Sequence, residues 1–215
     1  MKILELFSGT HSVGKVCEKL GFNEIVSLDR DLEGFKEHKH FKVDIHDFDY
    51  KQYPPDYFDV IWASPVCAFW SHLKVSNIGR YSKRYERNLT HDDIKDDIDK
   101  LGKPMVDKTL EIIEYFKGNK NLLWFIENPQ SGKMKTYITE LPFYDVDYCM
   151  YSDFGYRKRT RIWTNKEGFE PKLCNKKCFG YSNGRHVSQL GGQTKAISML
   201  NKYRIPFKLI EQLLT

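Results

Sequence analysis

Residues 3–21, ILELFSGTHSVGKVCEKLG, run from an apolar stretch through a turn of small residues into an amphipathic stretch that stops at a glycine. Ile3–Phe7 reads as a buried strand, Ser8–Ser12 as a tight turn and Val13–Leu20 as a helix. Gly21 ends that helix, being a residue that accepts the left-handed conformation. Strand, small-residue turn and helix in that order open a parallel α/β unit, and the pattern recurs downstream. Glu24–Leu28 is the second strand, Phe41–Ile45 a short third and Asp59–Ala63 a fourth, the last announced by Pro54, Pro55 and Asp56. Lys103–Lys117 predicts a helix with Val106, Leu110, Ile113 and Phe116 on one face, and Leu122–Ile126 a buried fifth strand. Tyr144–Tyr151 and Arg161–Thr164 read as two more strands joined through Gly155, and Ala196–Leu214 as helical in two pieces around Pro206. The expectation is an α/β fold around a mostly parallel sheet.

A chain of 215 residues, 40% hydrophobic and 14% aromatic, can bury a full core, which excludes a disordered chain. A net charge of +5 permits a polyanionic partner without demanding one. Within residues 72–87, Lys74, Arg80, Lys83, Arg84 and Arg87 alternate with Tyr81 and Tyr85, whereas residues 92–99 are rich in Asp. The first stretch suits phosphates and the second repels them. No apolar run is long enough to cross a bilayer and no signal core opens the chain, so an intracellular location is expected. Five irregularly spaced cysteines do not read as a disulfide framework.

In a parallel sheet the loops at the carboxyl ends of the strands converge on one crevice, so the residues following each strand carry the information. After the first strand come Phe7, Ser8, Gly9 and Thr10; after the second, Asp29; after the third, Asp44 and Ile45. Gly9 lets the backbone approach a ligand, Asp29 can accept both hydroxyls of a ribose, and Asp44 can take an adenine amino proton while Ile45 packs on the ring. The loop has neither a Walker-type Lys-Ser/Thr pair nor the spacing of a dinucleotide site, so S-adenosylmethionine fits better than a nicotinamide. After the fourth strand come Pro65, Val66 and Cys67, and after the fifth, Glu127-Asn128-Pro129. A thiolate at Cys67 and a carboxyl at Glu127 suit methylation of cytosine carbon-5, which requires addition of a nucleophile to carbon-6 while the ring nitrogen and exocyclic amine are held. Taken alone, each residue has a bland reading: a tight connection, a helix cap, a buried thiol. Their order at successive strand ends favours the site. Arg157, Arg159 and Arg161 share one face of an extended segment by strand alternation and are candidates to clamp a phosphate or the pyrimidine oxygen.

These residues resemble the cytosine carbon-5 DNA methyltransferase family. Leu4–Gly9 is similar to its opening cofactor motif, Pro65-Val66-Cys67 to its nucleophile motif, Glu127-Asn128-Pro129 to its Glu-Asn-Val motif, Arg157–Arg161 to its Gln-x-Arg-x-Arg motif and Arg204-Ile205-Pro206 to its closing segment. The resemblance implies a Rossmann-like fold, S-adenosylmethionine as cofactor, a flipped target cytosine, and catalytic roles for Cys67, Glu127, Arg159 and Arg161. Four departures stand out. His11 replaces a Gly, Val66 a Pro and Arg157 a Gln, and the span between the arginine motif and the closing segment is short.

That span sets the expected organisation: a catalytic domain over 1–164 with a mobile basic loop at about 70–100, a minimal target-recognition region over 165–200, and a C-terminal helix over 201–215. So small a reader implies a short or relaxed sequence preference. DNA is the expected partner and RNA an open alternative, as is a catalytically degenerate nucleic-acid-binding relative. The chain is expected to act as a monomer, off the membrane, in cytoplasm, nucleoid or nucleus according to host. Cys174, Cys178 and His186 are spaced to suit zinc. Cys149 falls on a predicted strand, however, so no fourth ligand is evident and no metal ligand is assigned.

Overall fold

In the computed structural model, which describes residues 1–31, 38–188 and 202–215, one seven-stranded sheet organises the chain. Its strands are β1 (Lys2–Leu6), β2 (Glu24–Leu28), β3 (Lys39–Phe41), β4 (Val60–Ala63), β7 (Leu123–Pro129), β8 (Phe143–Asp147) and β9 (Arg159–Thr164). Two short hairpins lie outside it, β5 (Tyr81–Ser82) with β6 (Arg87–Asn88), and β10 (Tyr181–Ser182) with β11 (Arg185–His186). The sheet order is β3-β2-β1-β4-β7-β9-β8, and every pairing is parallel except the two made by β9. The fold is therefore a Rossmann-like α/β sheet whose winding reverses between β1 and β4, the point where a crevice opens at the strands' carboxyl ends.

Alternation along the strands builds two cores. From β1, Leu4 and Leu6 face helix α3 (Lys103–Phe116), packing with Val106, Ile112, Ile113 and Phe116. Ile3 faces the other side, where Val13, Val16 and Cys17 of α1 (Ser12–Lys19) meet Leu209, Ile210 and Leu213 of α4 (Phe207–Leu214). Glu5 shares Ile3's side by the period of two, which brings a carboxyl under the start of α1. Between the hairpin β5–β6 and α3, helix α2 (His91–Asp97) continues through a π-helical turn at Ile98–Gly102. Among the described residues no helix is long and apolar enough to cross a membrane.

Several boundaries differ from the sequence reading. The third strand is Lys39–Phe41 rather than Phe41–Ile45, because its partner β2 ends at Leu28 opposite Phe41, leaving Asp44 and Ile45 in the following turn. The fifth strand runs on through Glu127-Asn128-Pro129, since β9 pairs with those residues. The strand expected over Tyr144–Tyr151 stops at Asp147, and Tyr148–Met150 turns as a 3-10 helix. The final helix is Phe207–Leu214; the part expected from Ala196 to Asn201 lies outside the described residues, as does 189–200 of the recognition region. Basic and acidic stretches read as opposites in fact pair. Lys74, Arg84 and Tyr85 converge on buried Asp97, and Arg87 forks onto Asp93 at 2.6 and 2.7 Å.

Candidate active site

A cavity of about 500 Å³ opens at the carboxyl ends of β1, β2, β4 and β7, within the range of small-molecule sites. The Phe7–Thr10 loop forms its floor. Ser8 donates its amide to Leu28 O at 2.9 Å and Gly9 donates to Asp29 Oδ2 at 3.0 Å, so the loop is tied to the end of β2. Phe7, Gly9 and His11 all have left-handed backbones (φ 58°, 50° and 53°). His11 thus adopts the conformation that glycine favours, at a cost of roughly 1–2 kcal/mol. Its ring is buried edge-on to His40, with centroids 5.4 Å apart, which holds the strained turn in place.

Beneath that loop lies a residue the sequence reading did not single out. Glu5 is buried, and its two oxygens accept the amides of Val13 (3.3 Å) and Gly14 (3.1 Å) at the start of α1. Burial pushes its carboxyl up to about 8, with the two amides pulling the other way. The packing at Gly14 is close: a Cβ would sit 3.0 Å from Glu5 Oε2 and from the His38 ring, so either side chain would have to give for a larger residue. Asp29 also accepts the amide of Asp31 at 2.9 Å, and Asp44 accepts that of His46 at 3.0 Å, so both carboxylates are aimed by their own turns. Each oxygen keeps lone-pair capacity for a ligand. Ile45 is buried beside Asp44, and Val43 adds a second apolar contact to the same wall.

The opposite wall carries Pro65, Cys67 and Glu127. Asn128 Nδ2 donates to Pro65 O at 2.8 Å, binding the loop after β4 to the strand that bears Glu127. Val66 has φ −54°, inside the range a proline would impose, so the loop keeps that conformation without one. Cys67 then opens a 3-10 turn, Cys67–Phe69, closed by the amide of Trp70 on Cys67 O at 3.1 Å. Trp70 is buried over Gly102, where a Cβ would lie 3.0 Å from the indole, so the π-helical turn makes room for the anchor of this loop. Burial pushes the Cys67 thiol up; Lys158 draws it down and Glu127 raises it further.

Glu127 is 5% exposed, accepts the Tyr148 hydroxyl at 2.8 Å and lies 3.6 Å from Lys158 Nζ. The structure brings ten of the twelve expected site residues to this one cavity: the four of the floor loop, Asp29, Asp44, Ile45, Pro65, Cys67 and Glu127. It does not bring Arg159 and Arg161. Glu127 pairs with Ile162 across the antiparallel ladder, so Ile162, Thr160 and Lys158 share its face and the arginines face away. Arg159 forks onto Asp147 (2.7 and 3.1 Å) and Arg161 onto Asp145 (2.8 and 2.9 Å), with the Arg161 guanidinium 3.4 Å from the Phe143 ring centre. Lys158, which sequence reasoning passed over, is the cation of this segment that lines the cavity; the signal was its spacing from the arginines, but only the register of β9 decides which set points inward. Tyr203 and Ile205 complete the rim, Ile205 donating its amide to Ser12 Oγ at 3.2 Å.

No family model matches the chain. A protein described as a probable DNA (cytosine-5)-methyltransferase, from Frog virus 3 (isolate Goorha), is 43% identical over 227 residues, covering 100% of this chain and 99% of that protein. Among solved structures, a putative DNA modification methyltransferase encoded within a prophage of E. coli has 12% identity and a TM-score of 0.40, over 76% of this chain and 46% of that one. Thermoplasma acidophilum 1320 has 11% identity and a TM-score of 0.39, over 76% of this chain and 77% of its own.

Proposed function

The chain belongs to the DNA (cytosine-5)-methyltransferase family, and from that premise we propose that it transfers the methyl group of S-adenosylmethionine to carbon-5 of cytosine in DNA through a covalent Cys67 adduct. The observation that carries the reading is the shared cavity: a thiol and a buried carboxyl on one wall, two aimed carboxylates and an apolar wall on the other. The donor set suits a nucleoside cofactor. Asp29 would accept ribose hydroxyls, Asp44 and Ile45 would hold the adenine, and the Phe7–Thr10 loop would approach by its backbone. Glu5 lines the same floor, and a cationic ligand there would draw its raised carboxyl back towards the charged form. When bound, S-adenosylmethionine supplies an electrophilic methyl group on a sulfonium.

The thiolate of Cys67 adds to carbon-6 of a flipped cytosine, forming a C–S bond and moving electron density to carbon-5. Glu127 hydrogen-bonds ring nitrogen 3 and the exocyclic amine, limiting the charge that accumulates on the ring. Tyr148 and Lys158 hold the Glu127 carboxyl in position, and Lys158 favours the thiolate form of Cys67. After carbon-5 has gained the methyl group, its proton leaves to water and the C–S bond breaks, restoring the aromatic ring and the thiolate. Arg159 and Arg161 act in this scheme by holding β8 to β9 through Asp147 and Asp145, rather than by touching the base. Residues 1–164 form the catalytic part and 165–200 a small recognition region, which favours a short or relaxed target sequence.

A DNA duplex carrying 5-fluorocytosine in varied contexts tests the proposal, because fluorine cannot leave as the proton does. With S-adenosylmethionine the protein should form a denaturation-resistant adduct mapped to Cys67, and Cys67→Ser should form none. Failure of the wild-type protein to form an adduct while binding both cofactor and DNA would sink the reading, as would an adduct mapped to another residue. A parallel RNA arm identifies the polymer.

A further inference from the structure

Beyond the cavity, the side chains of Cys149, Cys174, Cys178 and His186 meet at one point, with all four candidate ligand atoms within 4.8 Å of one another. We propose that these four residues form a structural zinc site that staples residues 172–188 to the end of β8.

The separations match a tetrahedral metal better than any direct bond. Cys174 Sγ lies 3.8 Å from Cys178 Sγ and 3.6 Å from His186 Nε2, and Cys178 Sγ lies 3.4 Å from His186 Nε2. Zinc–sulfur bonds of about 2.3 Å and zinc–nitrogen bonds of about 2.0–2.1 Å at tetrahedral angles put sulfurs ~3.8 Å apart and sulfur from nitrogen ~3.6 Å. A disulfide would need its sulfurs at about 2.05 Å, and all the cysteines are free thiols. Three thiolates and an imidazole are a soft, closed set with no place for water, which selects zinc over the harder divalent ions.

Each ligand is delivered by a backbone device. The 3-10 turn after β8 takes Cys149 off the strand on which the sequence pattern puts it, supplying the fourth ligand that the spacing of the other three lacks. Lys176 adopts a left-handed backbone (φ 65°) between the two other cysteines and donates its amide to Cys174 Sγ at 3.4 Å. Asn183 and Gly184 (φ 50° and 79°) close the β10–β11 hairpin in the left-handed pair of a type I′ turn, carrying His186 back with its ring edge-on to Tyr181. Buried Asp147 accepts the Cys174 amide at 2.8 Å while it holds Arg159, so the same carboxylate orients the segment bearing a ligand and fixes β9.

The region needs such a staple. Leu173, Phe179 and Val187 are exposed (47%, 86% and 61%), so it has little apolar core of its own. Contact with the main body comes instead through Gly180, where a Cβ would fall 2.7 Å from Gly155 Cα, and through the amide of Ser188 on Gly155 O at 2.9 Å.

Elemental analysis of the purified full chain tests the site. Wild type and Cys67→Ser should each carry one zinc per chain, and Cys174→Ser/Cys178→Ser should lose it. Replacing the metal in wild type with cobalt(II) should give tetrahedral d–d bands with thiolate charge transfer, a readout that needs no variant to fold. Folded wild-type protein with neither zinc nor a thiolate-bound cobalt spectrum would overturn the proposal, and so would stoichiometric zinc retained by the double variant.

Discussion

Lys158→Met removes the charge beside Glu127 while keeping most of the bulk of the stem. The two groups are 3.6 Å apart and only 11% and 7% exposed, so solvent screens them weakly. At an effective dielectric of about 20 their attraction is about 4.6 kcal/mol, and removing one partner of a buried pair typically costs about 3–5 kcal/mol. A chain of this length should then lose ~6–20 °C in Tm, at about 2–4 °C per kcal/mol. Glu127→Gln should cost a comparable amount by stranding the ammonium, and the double variant should cost well under the sum of the two. The same change also acts on the nucleophile. Burial pushes the Cys67 thiol up, Lys158 opposes that and Glu127 adds to it, so removing the cation alone should raise the pH midpoint of Cys67 alkylation. Alkylation at a fixed pH below the midpoint should then be slower than in the wild type. Urea unfolding of the four proteins in the cycle, with iodoacetamide rates read by mass spectrometry, gives both numbers. Strict additivity together with an unchanged alkylation midpoint would refute the assignment of Lys158 to the cavity.

Three further outcomes follow from the same geometry. Because burial raises Glu5 to about 8 from an ordinary 4.5, its stabilising contribution is full below about pH 4.5 and is lost as pH climbs to 8, at up to ~1.4 kcal/mol per unit. Glu5→Gln should flatten that slope in urea midpoints between pH 5 and 8, and parallel profiles would count against a buried carboxyl there. Asp147 is opposed by burial, but Arg159 and the Cys174 amide outweigh it and hold its value below 3.8, so its contribution is present above about pH 3.8 and lost as pH falls through the lowered value. Arg159→Ala should therefore cost less than the roughly 3–5 kcal/mol of a fully stranded charge near neutrality, because Arg157 stays 3.4 Å from Asp147, with the gap to wild type closing in acid; a pH-independent gap would contradict the pairing. Val66→Pro should raise stability by about 0.4–1 kcal/mol, since φ is already −54° and the Val66 amide donates no hydrogen bond among the described residues. A lower Tm would show that the loop needs another conformation.

The opening strand, turn and helix, and the order of stations after each strand, could be read from periodicity because each depends on a few adjacent residues. Asp29, Asp44, Cys67 and Glu127 reach one cavity because parallel strands align their carboxyl ends, which the pattern of apolar runs already implies. What escaped the sequence depends on partners distant along the chain. Alternation separates Lys158 from the arginines, but which set faces Glu127 is fixed by its pairing with Ile162, a contact between strands separated by β8 in sequence. Cys149 looked like a strand residue because Tyr144–Tyr151 is rich in aromatic and aliphatic residues, with Asp145 and Asp147 the exceptions, and only the 3-10 turn turns it toward Cys174. The acidic run at 92–99 read as repelling phosphate, whereas Asp93 and Asp97 meet the basic residues that the hairpin folds back onto them.

The amide of Ile205 on the hydroxyl of Ser12 spans 193 residues, and the segment that makes it also supplies the rim of the cavity. During synthesis β1, β2 and β4 are available to pair long before that segment leaves the ribosome, so the sheet can assemble around a crevice still open on one side. Closure of that side then waits for the Ile205 segment to dock against α1. A ligand that touches this rim would in turn pull the docking equilibrium toward closure by mass action, adding about 2.7 kcal/mol at a hundredfold excess over its Kd. Order at the far end of the polypeptide and occupancy of the cleft are thereby one equilibrium, observed from two positions.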